Sequence, residues 1–162
     1  MNLIEYFEEM YEKIENNWNV ESSLKYFGIG KNNEGSNESK SIKRYYVKPN
    51  EKCFREIFLN FDENRNIDSI VWFFDKNSFL KIGELKKIFG IFETHNVIYD
   101  ETTELNFTPK KNKNIRYIQV SILEWIEKSK DEKMFFKKGN EKIEVNDDYK
   151  LSFITFKINN SA

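Results

Sequence analysis

His95 is the only imidazole in the chain, set in Glu93-Thr94-His95-Asn96 with Asp100 and Glu101 close behind. A histidine titrates near neutral pH, and a carboxylate beside it could orient it as a general base. In an extended segment Glu93, His95 and Val97 share one face. Any strand puts residues i and i+2 on one face, however, so the same spacing describes a histidine that merely bonds a neighbour. No Ser or Thr is singled out as a nucleophile that would complete a triad. Cys53, the one thiol, precedes Phe54 at the start of an apolar run. In such company a cysteine behaves as a small apolar side chain, and only an approach of Cys53 to His95 in space would give it chemistry.

Metal chemistry has less to draw on. One Cys and one His cannot build a four-ligand zinc site. Asp62, Glu63 and Asn64, and the pair Asp147-Asp148, are oxygen-rich, but neither group follows the alternating ligand pattern of a calcium loop. Turn formation accounts for both. No catalytic residue, metal or cofactor is expected, and the chain is read as a non-enzyme.

The charged residues suggest binding instead. Glu5, Glu8, Glu9, Glu12 and Glu15 recur at three- and four-residue steps opposite Leu3, Ile4, Tyr6, Phe7, Met10, Tyr11, Ile14 and Trp18. That pattern is an amphipathic helix, and its acidic arc is either a solvated face or a docking surface for a basic partner. A second acidic stretch contains Glu93, Asp100, Glu101 and Glu104. Lys110, Lys111, Lys113 and Arg116 form a short basic run after Pro109. It lacks a glycine-rich phosphate cradle and would give only a weak, salt-sensitive contact with phosphate.

These residues need elements to hold them. Asn2 with Glu5 three positions on has the form of a capping box for the first helix. Residues 20–27 suggest a second short helix, and residues 30–41 contain no apolar side chain, as expected of a flexible connection. Strands are expected at 42–48, 53–61, 67–74, 92–99, 103–107, 115–122 and 149–158, with a hairpin at 134–145. Residues 53–61 and 67–74 form a hairpin across Asp-Glu-Asn-Arg-Asn. Their apolar runs, at 57–61 and 70–74, call for a central position or cover on both faces. Ile82, Leu85, Ile88 and Phe89, with Gly90 at the C-cap position, make a short inserted helix. Residues 123–130 suit either a strand extension or a helical turn. The fold class is α+β: a mostly antiparallel β-sheet with N-terminal amphipathic helices and one short inserted helix. It is read as one domain over residues 1–162, with a helical head at 1–29, the connection at 30–41 and a β-rich body at 42–162.

With 162 residues and a net charge of −1, the chain is one domain's length and lacks the basic excess of a general nucleic-acid binder. The neutral total hides local imbalance, because residues 1–30 carry six acids against two bases and residues 106–118 carry four bases and no acid. No apolar run reaches a membrane span. The acidic N-terminus is unlike a secretory signal, which suggests the cytoplasm.

The acidic head from Glu5 to Glu15, the hairpin within residues 53–74 and the helix Ile-Gly-Glu-Leu-Lys-Lys-Ile-Phe together resemble the small cytoplasmic immunity proteins of bacterial toxin–antitoxin and toxin–immunity systems. The resemblance implies a protein partner, namely a toxin domain, often basic, whose active site or substrate groove is covered without chemistry by the immunity protein. It implies Glu5, Glu8, Glu9, Glu12, Glu93, Asp100, Glu101 and Glu104 as partner-binding residues. Two other readings stand beside it. One is a ligand-binding or enzymatic domain with a pocket near His95; the other is a structural subunit of a larger assembly that associates by an exposed sheet edge or an aromatic patch.

Overall fold

The computed structural model describes residues 2–15, 25–27, 42–47, 49, 52–64, 66–89, 94–95, 104–107, 114–124 and 146–158. The first helix, α1, spans Leu3–Glu15. Asn2 starts it: Oδ1 accepts the Ile4 N–H at 2.9 Å and the carbonyl accepts the Tyr6 N–H at 3.0 Å. The first bond satisfies a donor that a first turn otherwise leaves open, and the second is the first of the helix's own ladder. Tyr6, Phe7, Met10 and Ile14 are buried, with Leu3, Ile4 and Tyr11 packed at their margin. The apolar arc of the sequence is thus the buried face. Of the expected second helix, residues 25 and 26 are helical and Phe27 lies in a turn. The rest of it lies outside the described residues, as do the 30–41 connection and the 134–145 hairpin.

Among the described residues seven strands form one antiparallel sheet: β1 (Ile42–Val47), β2 (Phe54–Asp62), β3 (Ile67–Phe74), β4 (Thr94–His95), β5 (Glu104–Phe107), β6 (Ile115–Ile122) and β7 (Leu151–Ile158). Their order is β1-β2-β3-β7-β6-β5-β4. Two meanders, β1 to β3 and β4 to β7, therefore join along β3 and β7. The β2–β3 turn is closed by Asp62, whose Oδ1 accepts the N–H groups of Asn64 and Asn66, both at 2.9 Å. Asn146 does the same for Asp148. Turn formation occupies both oxygen-rich segments.

Period-two alternation places Tyr45, Leu59, Ile70, Phe156 and Ile118 on one rung, and Val47, Ile57, Trp72, Ile154 and Val120 on the next. All but the half-buried Tyr45 are buried. Both helices pack on this face. Phe7 stands nearly perpendicular to Trp72 with ring centres 5.2 Å apart, and it also touches Phe54, Phe74 and Phe156. Two polar bonds fix the helix in place. The Trp72 indole N–H donates to the Tyr6 hydroxyl at 2.9 Å, and Asn114 Nδ2 donates to the Ile14 carbonyl at 2.8 Å. Helix α1 is therefore docked on the sheet from its first turn to its last.

The inserted helix, α2, spans Ile82–Phe89 as its periodicity predicts. Glu84 Oε2 accepts the N–H of Lys81 just ahead of the helix, which is half of a capping box. The Gly83 N–H donates to the Asp147 carbonyl, and Lys86 pairs with the Asp147 carboxylate at 2.7 Å. Phe89 meets Tyr11 of α1 and Phe156 of β7. One apolar core thus joins α1 and α2 to the sheet face on which both pack. Leu123 and Glu124 begin a helical turn, which resolves the ambiguous segment in favour of helix at its first two residues.

Candidate binding surfaces

Glu5, Glu8, Glu9 and Glu12 are all exposed on the outer side of α1. Three- and four-residue steps bring their Cβ atoms within about 6 Å of one another in sequence along the helix surface. Glu9 pairs with Lys13 at 3.2 Å, and the Lys13 ammonium also lies 4.2 Å from the centre of the Tyr26 ring. Glu5, Glu8 and Glu12 have no ion-pair partner among the described residues. The opposite arc of the same helix is held by Trp72, Phe54 and Asn114. The carboxylates are therefore carried on a fixed element.

The other expected site residues are placed differently. Glu93, Asp100 and Glu101 lie outside the described residues. Glu104 belongs to β5, opposite Ser121 of β6. It is thus two strands beyond β7, whereas the aromatic contacts of α1 are with β2, β3 and β7. His95 lies on β4, the edge strand, opposite Asn106. Cys53, half-buried, sits just ahead of β2. Four strands separate β2 from β4. At about 4.8 Å per strand, Cys53 and His95 are roughly 24 Å apart across the sheet. The approach that would have given Cys53 chemistry is therefore corrected by strand order, which local sequence does not specify.

The sheet's outer face carries a second surface. Strand register aligns Arg44, Asn60, Ser69, Lys157 and Tyr117 in one rung across β1, β2, β3, β7 and β6. Arg44 Nε donates to Asn60 Oδ1 at 2.8 Å, and Asn60 Nδ2 donates to Ser69 Oγ at 2.9 Å. Lys157 Nζ bonds both oxygens of Asp68. Polar groups buried among strands are thus bonded to one another, as burial requires. The next rungs hold an aromatic row of Tyr46, Phe58, Phe73 and Phe153, with successive ring centres 4.8, 5.0 and 5.5 Å apart. All four are half-buried. The Arg44 guanidinium lies 5.0 Å from the Phe58 ring centre, and that of Arg55 5.4 Å from Phe73.

Only the register could reveal this row. Its members occur on four strands, and the alternating half-burial of Phe58, Val71 and Phe73 was hidden within runs that are apolar at nearly every position. The expected central position holds for β2 and β3, and of their outward side chains Asn60 and Ser69 are buried, Phe58, Val71 and Phe73 half-buried, and Arg55 and Glu56 exposed. No group of three or more potential metal-ligating side chains occurs among the described residues, and no helix among them is long and apolar enough to cross a membrane. Comparison with family models, with curated proteins and with solved structures finds no match.

Proposed function

We propose that this chain is a non-enzymatic, cytoplasmic binding protein that neutralises a bacterial toxin by covering its active site or substrate groove. The outer face of α1 would be the docking surface, with Glu5, Glu8, Glu9 and Glu12 meeting a basic toxin domain. One observation carries this reading: all four carboxylates are exposed on the outer side of a helix whose inner side is bonded and packed to the sheet. A surface held in place before binding loses little further freedom on association. A patch of one charge also raises the rate of encounter with an oppositely charged partner.

The test begins with the open reading frame upstream of the gene, whose product's toxin domain would be co-expressed and co-purified with this chain. Protection of the host and a stable complex are expected. Reversal of Glu5, Glu8, Glu9 and Glu12 to Lys should lower the association rate at least about tenfold at low salt, with a smaller difference at high salt. Unchanged affinity in the reversed variant would remove the acidic face from the mechanism.

A further inference from the structure

The arginines of the outer sheet face are unusual in what they lack. Arg44 bonds the neutral amide of Asn60, and Arg55 is exposed over Phe73. Neither has a carboxylate partner among the described residues, whereas the nearby ammonium of Lys157 is held by Asp68. Phe58 and Phe73, the rings beneath the two guanidiniums, have centres only 5.0 Å apart. The result is a two-pronged cationic site on one aromatic pair, with Tyr46 and Phe153 extending the apolar contact to either side. Glu56, exposed and in register with Phe73, is the carboxylate nearest in the ladder.

We infer that this face is a second docking surface, and that its partner is a protein segment bearing neighbouring carboxylates with an apolar side chain between them. Charge complementarity selects the acids, because each guanidinium offers a planar donor fork that a carboxylate can fill. Aromatic rings with arginines are also the composition of interface hot spots. A single-stranded nucleic acid would need open, parallel ring faces on which bases could stack. Here successive rings are turned by 87°, 61° and 55°, and the two central rings already carry guanidiniums. A second copy of the chain could offer the acidic arc of α1, but that arc lies on the opposite side of the sheet. Such contacts would be heterologous and would build head-to-tail rings or open chains rather than a two-fold dimer.

The surface is independent of the α1 reading, and its test separates the two. A fluorescein-labelled peptide repeating Glu-Ser-Leu-Ser places Glu and Leu on one side of an extended chain. Its binding would be followed by fluorescence anisotropy on the full protein. Binding is expected, with R55Q weakening it about tenfold and E56Q strengthening it. E8K/E9K/E12K should leave it unchanged. The Lys-for-Glu peptide and an oligothymidylate of similar length should not bind. The Arg55 side chain makes no hydrogen bond among the described residues, so R55Q tests the site without disturbing the ladder; a matching thermal melt confirms the fold. The proposal fails if the acidic peptide does not bind, or if R55Q leaves its affinity intact. It also fails if the oligothymidylate binds through Arg55, or if sedimentation shows self-association that both R55Q and E8K/E9K/E12K abolish.

Discussion

Trp72 and Tyr6 show how much one side-chain pair decides. Their bond joins β3 to α1 inside the core, where the indole N–H has little access to water. Tyr6→Phe keeps the ring and leaves that donor without its acceptor. A loss of about 1–3 kcal/mol is expected in urea unfolding, although Phe is the more apolar residue. A variant as stable as the parent would show that the indole finds another acceptor. Gly83 is the other position where one atom matters. A Cβ there would lie 3.1 Å from Asp147 Cβ and 3.2 Å from the Asp147 carbonyl that accepts the Gly83 N–H. Gly→Ala in a helix interior ordinarily gains about 1 kcal/mol. Here the crowding should outweigh that gain, so G83A is expected to lower the melting temperature.

The elements draw their stability from unequal sources. α1 has a sequence-local cap, and Asn2→Ala should cost about 1 kcal/mol, measurable as a lower urea midpoint with unchanged slope. Its larger support is the aromatic cluster. Phe7 is fully buried against rings from β2, β3 and β7, so Phe7→Ala is expected to cost about 3–5 kcal/mol. A loss near that of Asn2→Ala would mean that the helix docks on the sheet only loosely. α2 is short for an independent helix. Its first turn and Lys86 are tied to Asp147 and Tyr149 in the segment before β7, so its geometry depends on residues more than sixty positions away.

At the scale of the molecule the sheet has two working sides. One is sealed by α1 and α2 and supplies the core. The other carries bonded polar groups, an aromatic row and two arginines. The molecule is therefore acidic on its helical side and cationic-aromatic on the outer face of β1 to β3. A net charge of −1 conceals that division. Electrostatic effects should therefore be sign-specific by face, with reversal on α1 and neutralisation at Arg55 altering different partners' binding.

Helix α1, helix α2, the β2–β3 hairpin and most strands were legible in the amino-acid sequence, because each rests on a local period, a cap or a turn residue. The exposure of Glu5, Glu8, Glu9 and Glu12 follows from the same period, since burying Phe7 and Met10 turns the acids outward. Strand order, and with it the distance between Cys53 and His95, was not legible. Neither was the row from Tyr46 to Phe153. The physical reason is that periodicity tells which residues share a face of one strand, whereas cross-strand neighbours are chosen by the packing of the whole core. Local sequence determined the elements and the acidic arc; only the tertiary structure decided which distant side chains became a surface.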